Sequence, residues 1–432
     1  MIRLVWLALL MVFTFPAFSQ FKNIRVNTGA TGNTHDPGIA INPKNPKNIV
    51  VVSSPDQVFS TLDAGATWQT AKLSSPWGIY GGVTLVADNK GDFYVLYLSD
   101  ESGEGLKNEK SLDYVVCQIS RDGGITWDAA TTVAYAPGKD QLGIGAVIDG
   151  KDNLHVAWTQ LDKYNSTDEN CTSVIMYSRS SNGKKWEVPF QLSQAPGHCK
   201  DDNIVMGAQP AGSNDGKLFF VVWANQNKVF LDRSFNSGSM WLRNDIGIFD
   251  DPGSWKFNVP GHDQSNGLPR FVMDRSKSNM QGALYMVWAD QRKGADDTDV
   301  WLIRSTNMGD NWGNTIRVND DEPGKHQYLP AMTLDQATGY LYVVYYDRRS
   351  YDDNQTDVYL AYSIDAGLTF KNVKISEAPF TPDASVPFGD HITVTAYKGV
   401  ITPVWIRTDD GKTSVMTTVI NYTDLAPPAK KP

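Results

Sequence analysis

Only a handful of residues in this 432-residue chain could carry acid–base or carboxylate chemistry. Six are histidines, the side chain that titrates nearest neutral pH. Arg270, Arg349 and Arg407 carry the guanidinium that pairs with carboxylates, and Tyr328, Asp36 and Asp56 carry groups that can hydrogen-bond or exchange protons. His326 and His391 are placed to move protons. Metal chemistry has less support. No Cys-x-x-Cys or His-x-x-x-His pair occurs, and the acidic loops Asp296-Asp297-x-Asp299 and Asp352-Asp353-x-x-x-Asp357 lack the spacing of a calcium loop. Neither a metal nor a cofactor is expected.

The elements that must position these groups follow from composition. The chain holds 36 Gly, 22 Pro, 13 Trp, 18 Tyr and 17 Phe against 3 Cys, a balance that favours many short strands and turns. With 41% hydrophobic and 20% charged residues it can bury a core, so intrinsic disorder is excluded. A net charge of -9 argues against nucleic-acid binding, which needs a basic surface. Residues 1–19 read as a secretory signal peptide: Arg3, an apolar run from Leu4 to Phe15, then small residues at positions 17 and 19 before Gln20. Export is therefore expected, to the medium or a periplasm, with no later segment able to span a bilayer. Cys171 and Cys199 could pair across neighbouring loops, leaving Cys117 over.

A repeat supplies the architecture. Trp68, Trp127, Trp186, Trp241, Trp312 and Phe370 recur at intervals of 59, 59, 55, 71 and 58 residues. Upstream stand Thr61-x-Asp63-x-Gly65-x-Thr67, Ser120-x-Asp122-x-Gly124-x-Thr126 and Ser363-x-Asp365-x-Gly367-x-Thr369, with Asn for Asp at Asn236 and Asn307. The third copy keeps only Gly183 and Trp186 in register. An Asp or Asn oxygen can accept backbone N–H groups in such a turn while Gly supplies a positive φ. Between boxes lie four period-two runs per unit, such as Leu268–Met273, Ala283–Ala289, Asp299–Arg304 and Thr315–Asn319. The expected fold is an all-β propeller, one four-stranded blade per period. After the sixth box, 391–397, 400–406 and 414–420 give three strands of a further blade, and Phe21–Asn27 would supply its fourth and close the ring. That makes seven blades, six being the alternative, over residues 20–422, with 423–432 as a disordered tail.

These boxes resemble the Asp-box, or bacterial neuraminidase repeat, of the sialidase superfamily, and the resemblance spans the whole mature chain. It implies a propeller whose boxes lie away from the active face. It also implies a sialidase-type glycoside hydrolase with an arginine cluster, a tyrosine nucleophile and an aspartate acid, for which the candidates are Arg270, Arg349, Arg407, Tyr328 and Asp36. Two departures stand beside it: sialidases of this superfamily have six blades, and Leu268-Pro269-Arg270-Phe271 does not match their first-arginine motif.

In a propeller the connections between blades and those joining the second strand to the third share one face. His35, His198, His262, His326 and His391 all fall there, with Asp36, Asp56, Tyr80, Asp100, Asp202, Asp390 and Arg407, whereas His155 lies within a strand. Asp290-x-Arg292 and Asp347-x-Arg349 repeat at one step of successive blades, the pattern of a brace. Three functions fit: sialidase-type hydrolysis, a lyase acting on uronate glycans through Arg and a His or Tyr base, and a non-catalytic propeller binding glycan or protein. A glycan is the expected partner; the oligomeric state is not legible.

Overall fold

A computed structural model describes residues 21–28, 34–102, 105–107, 112–250, 254–262 and 265–425. Residues 1–19, read from the sequence as a signal peptide, lie outside them. Seven antiparallel sheets follow one another along the chain, the first six each with the inner strand first and the rim strand last. Blade 1 comprises His35–Ile41, Ile49–Ser54, Gln57–Thr61 and Gln69–Lys72. Blades 2 to 6 have inner strands beginning at Gly81, Asp140, Met206, Arg270 and Gln327. Blade 7 is built from Thr393–Tyr397, Val400–Asp409 and Lys412–Thr417, and its outer strand is the N-terminal Ile24–Arg25. Ile24 pairs with Thr417 and Arg25 with Met416, and the Val26 N–H donates to the Val415 carbonyl at 2.9 Å. The seven-bladed ring closed by the N-terminus is thus the fold expected from the repeats. Thr423–Leu425, read as the start of a tail, belong instead to a short helix, Tyr422–Leu425. No helix among the described residues is long and apolar enough to cross a membrane.

Each box folds by the same bonds. Asp122 Oδ1 accepts the Thr126 N–H at 2.9 Å and Oδ2 the Thr126 hydroxyl at 2.5 Å, while Ser120 Oγ accepts the Gly124 N–H at 2.8 Å. The box glycine then lies flat on the preceding blade. A Cβ at Gly124 would sit 2.5 Å from Val50 Cγ2, one at Gly183 2.7 Å from Tyr94, and one at Gly65 3.1 Å from Val419 of the last blade. The third copy retains more than Gly183 and Trp186. Ser180 Oγ accepts the Gly183 N–H at 2.9 Å and Asn182 Oδ1 the Lys185 N–H at 2.9 Å, so the turn is the same box shortened by one residue. It has a single left-handed residue, Gly183, where the others have two, such as Ala64 and Gly65.

A second repeat lies in the core. At the same step of the second strand stand Tyr97, Trp158, Trp223, Trp288, Tyr345 and Trp405, all buried. Large rings at this depth fill the widening space between radial sheets. Blade 1 breaks the pattern with Ser53, whose hydroxyl donates to the His35 carbonyl at 2.8 Å. The inner strands also bulge where they enter the channel: register shifts occur at 35/37, 81/84, 142/145, 206/209 and 328/331. Left-handed residues mark the shifts: Asp36, Gly82, Gly143, Gly207 and Leu329. Such bulges re-aim side chains at a strand end.

Asp122→Ala should cost about 1 kcal/mol through lost hydrogen bonds. Gly124→Ala, with φ 91° and a clash with Val50, should cost more, about 2–4 kcal/mol. Urea denaturation of the two variants tests the order. Asp232 sits one step past the Leu231–Ile246 pair, facing Asp245, and burial followed by the Asp245 charge pushes its carboxyl up to about 7. The folded state then holds a proton that the unfolded chain has released, so stability should fall as pH rises from about 4 to 7, and Asp232→Asn should flatten that slope.

Candidate functional site

The channel opens into a cavity of about 460 Å³ on the face of the inter-blade connections. Two His–Asp pairs meet there across the seam where the ring closes. His35 and Asp36 begin the inner strand of blade 1, and His35 Nδ1 bonds Asp36 Oδ2 at 2.6 Å. Asp390 and His391 precede the inner strand of blade 7, and His391 Nδ1 bonds Asp390 Oδ1 at 2.6 Å. The pairs are joined, because the Asp390 N–H donates to Asp36 Oδ1 at 2.9 Å and His391 Nδ1 lies 3.6 Å from the same oxygen. Gly389 permits this approach: its φ is 95° and a Cβ would stand 2.5 Å from Asp36 Oδ1. Asp36 itself has φ 48°, a strained conformation that Asp tolerates better than most residues.

The electrostatics follow from these bonds. Burial would raise the Asp36 carboxyl, yet the His35 hydrogen bond, the charges of His391 and His35 and the Asp390 N–H together hold it far below the usual range. Burial would likewise lower His35, but the Asp36 hydrogen bond and the Asp36 and Asp390 charges win, so its pKa is raised. With each Nδ1 turned to a carboxylate, the Nε2 of each imidazole is the atom left for proton transfer, the orientation used by base–orienter pairs.

Arg270 opens the inner strand of blade 5 and lines the same cavity, half-buried. Burial lowers its pKa, opposed by Asp390 and Asp36, but a guanidinium remains charged. None of the ion pairs among the described residues involves it. Tyr80, before the inner strand of blade 2, and Tyr164, between the second and third strands of blade 3, complete the rim. Asp100 accepts the Gly105 N–H at 2.7 Å and fixes Gly105 against the Tyr80 ring, where a Cβ would meet Cε2 at 2.1 Å. Tyr80's phenol is raised by burial and then by the Asp36 charge. Below the rim the walls are apolar and small, with Gly38, Gly82, Gly143, Gly145 and Gly207 among them.

Of the residues expected from sequence to form the site, the structure brings together Arg270, Asp36 and His391. The others lie apart. Arg349 donates to Asp347 at 2.8 Å and Asp320 at 2.6 Å, and its guanidinium covers the Tyr359 ring at 4.1 Å. Arg407 donates to Asp409 at 2.6 Å and to the Ala378 carbonyl at 2.9 Å. Arg349 is a brace, as the repeated Asp-x-Arg step implies, and Arg407 is engaged by Asp409 two residues after it, outside that repeat, so the three arginines do not converge. Tyr328 is fully buried against Tyr346, His262 and Arg348, with its hydroxyl 3.4 Å from Thr356 Oγ1. His326 is buried on Thr298 at 2.8 Å, its pKa lowered by burial and then by Arg348. Asp56 accepts from Gln57 at 2.7 Å outside the cavity. His198 bonds the Asp168 carbonyl at 2.9 Å beside the Cys171–Cys199 disulfide. Burial of Tyr328 was not legible because it belongs to the bulged inner strand, where a one-residue shift exchanges channel and core, and that of His326 because it depends on a bridge to Thr298 in the neighbouring blade. Sequence reasoning also passed over Tyr164. One available signal was Ser53, the missing aromatic beneath His35.

Asp36, Asp390 and His391 offer donor atoms within 4.8 Å of one another, one of two such groups among the described residues. Hydrogen bonds from His35, His391 and the Asp390 N–H already engage these carboxylates. The second group is Asp162 with the disulfide-bonded Cys171 and Cys199.

No protein-family model matches the sequence. No curated protein matches it either. Solved structures share the fold. The α-L-arabinofuranosidase Arb93A of Fusarium graminearum superposes with a TM-score of 0.52 at 10% identity, covering 93% of this chain and 98% of that one. The NanB sialidase of Streptococcus pneumoniae gives 0.53 at 9%, covering 87% and 84%. A polysaccharide lyase of family PL25, an ulvan lyase, gives 0.55 at 11%, covering 93% and 96%. At such identities the likeness is one of fold alone.

NMR titration should place the His35 pKa above its ordinary value, and Asp36→Asn should bring it down; an unchanged value in the variant would refute the pairing. In sign terms, the stability gained from this pair is complete below about pH 6.5 and lost as pH rises through the raised folded value.

Proposed function

We propose that the protein acts on glycans at the channel mouth and that the sugar unit it recognises carries a carboxylate. The observation that carries this reading is Arg270, a guanidinium with no ion-pair partner among the described residues, facing the cavity that the two His–Asp pairs also line. A bidentate carboxylate contact would supply its missing partner and offset its burial. The glycan-acting propellers among the similar folds, a sialidase, an arabinofuranosidase and an ulvan lyase, lend general support.

Of the chemistries considered, β-elimination next to a uronate carboxylate agrees best with these groups. Arg270 would pair with the carboxylate and favour loss of the neighbouring carbon-bound proton. His391, oriented by Asp390, would take that proton on Nε2. The electron pair forms a carbon–carbon double bond as the glycosidic C–O bond breaks, and His35, whose raised pKa favours its protonated form, would protonate the departing oxygen. Sialidase-type hydrolysis has weaker support, because Arg349 and Arg407 are engaged in braces and Tyr328 is enclosed. Neither does Asp36 suit a general acid, which needs a raised pKa. Binding without turnover is the second reading, favoured by the exposed Tyr80 and Tyr164 rings at the rim.

Incubation with uronate-containing polysaccharides should produce unsaturated oligosaccharides that absorb in the ultraviolet. Arg270→Ala should reduce kcat/KM by roughly 10²-fold or more and His391→Ala by roughly 10²–10⁴-fold, as for loss of a general base. If binding to the same glycans is lost in Arg270→Ala but no double bond ever appears, the protein is a binder. If neither binding nor turnover is found, the carboxylate reading fails.

A further inference from the structure

A second cavity, about 320 Å³, opens at the seam of blades 3 and 4 on the opposite face from the channel mouth. Its walls come from the shortened box of blade 3 (Ser180, Ser181, Lys185, Trp186 and Glu187), from Asp149 and Asn153 of the first turn of that blade, from His155 and Arg179, and from Ser237 of the next box. Two departures from the repeat create it. The box has lost one left-handed residue, and His155 stands where Tyr94, Tyr285 and Tyr342 stand in blades 2, 5 and 6. Tyr94 reaches the aspartate of its own first turn, Asp88, at 3.2 Å. The shorter His155 stops with Nε2 3.5 Å from Asp149 Oδ2, without a hydrogen bond, although its side chain is only 2% exposed. At two seams the next box glycine lies on the residue at this step, Gly124 on Val50 and Gly183 on Tyr94; at Gly238 the nearest atoms belong to Tyr177 and Arg179 instead of His155, whose ring stacks on Phe219.

The lining selects a ligand by charge. His155 Nδ1 is 2.6 Å from the Tyr177 hydroxyl, which donates to it when Nε2 carries the hydrogen, the tautomer favoured by the facing Asp149 carboxylate. Burial would raise Asp149, but the neighbouring His155 imidazole and bonds from Asn153 and Lys151 hold it at about 2, so it is ionised. Because His155 Nε2 and Asp149 Oδ2 are only 3.5 Å apart, a group that touches both from the cavity side must accept from the one and donate to the other, which a hydroxyl does. An anion would meet Asp149; a cation would meet Arg179 and Lys185. Arg179 is itself neutralised by Glu187 at 2.8 Å. Trp186 offers an aromatic wall, and the volume lies at the low end of small-molecule sites, roughly 300–1,000 Å³.

We infer that this seam is a second carbohydrate subsite that takes a single neutral sugar unit, one hydroxyl bridging His155 and Asp149 with the ring beside Trp186. It is independent of Arg270 and of the reaction at the channel. In a propeller that works on a polymer, such a site would hold a chain on the face away from the chemistry.

Saturation-transfer NMR with D-glucose, D-galactose, D-xylose and L-arabinose tests it on the whole protein. At least one of the four should bind. Ser181→Trp, which fills the cavity from its solvent side, and His155→Phe should each weaken that binding roughly tenfold or more, the scale of one lost buried hydrogen bond. Arg270→Ala should leave it unchanged. No binding by any of the four sugars, binding that survives Ser181→Trp, or binding abolished by Arg270→Ala would overturn the assignment, as would competition by sulfate. The Ser181 variant keeps the test decisive should His155→Phe fail to fold.

Discussion

Everything in this molecule depends on how one blade meets the next. Radial sheets diverge outward, and something must fill the wedge without holding the blades apart. The box does so with a glycine laid flat on the preceding blade: Gly124 on Val50, Gly183 on Tyr94, Gly367 on Leu302. The Asp or Asn beside it exists to hold that glycine in a left-handed turn, and its polar atoms are consumed by local N–H and hydroxyl groups. Gly65 closes the series against Val419 and Ile24, so the contact that spaces the blades also joins the chain's two ends. With the rim so fixed, the inner strands need no contact with one another across the axis, and a channel remains.

That channel gains its polar mouth from irregularity. Bulged inner strands turn residues 35–37 toward the opening, and the left-handed Asp36 is held by Gly389, by the Asp390 N–H and by two imidazoles. The strain sits at the closing seam, where blades 1 and 7 each contribute a His–Asp pair. The geometry of that seam depends on ring closure, since Asp36 and Asp390 belong to its first and last blades. Arg270 approaches from blade 5, two blades from Asp390 and three from Asp36, so the cavity is flanked by a diffuse acidic seam and a single cation. Such a field orients an anionic group more sharply than a symmetric ring of charges would.

Much of the scaffold was legible, and for a physical reason. Box turns, strand periodicity and the N-terminal closing strand are local patterns repeated often enough to be read against one another. The braces Asp347–Arg349 and Asp290–Arg292 were legible too, since a residue needed once per blade recurs once per blade. Even the third box, read as degenerate, keeps Ser180 and Asn182 in their roles; only the loss of one turn residue hid it.

The site was legible in part. Sequence alone determined that the chain is a ring of repeated sheets, that its scarce histidines gather largely in the connections of one face, and that Arg270 is not a repeated residue. Tertiary structure alone decided which of those groups meet. His35 and His391 are 356 positions apart and become neighbours because the ring closes between blades 7 and 1. Tyr328 and His326, equally eligible by position, both turn inward beside Arg348, Tyr328 at the bulge of blade 6 and His326 just before the strand, on Thr298. Local pattern sets where a residue lies along a blade; the register at each bulge and the closure of the ring set which way it faces and what it meets.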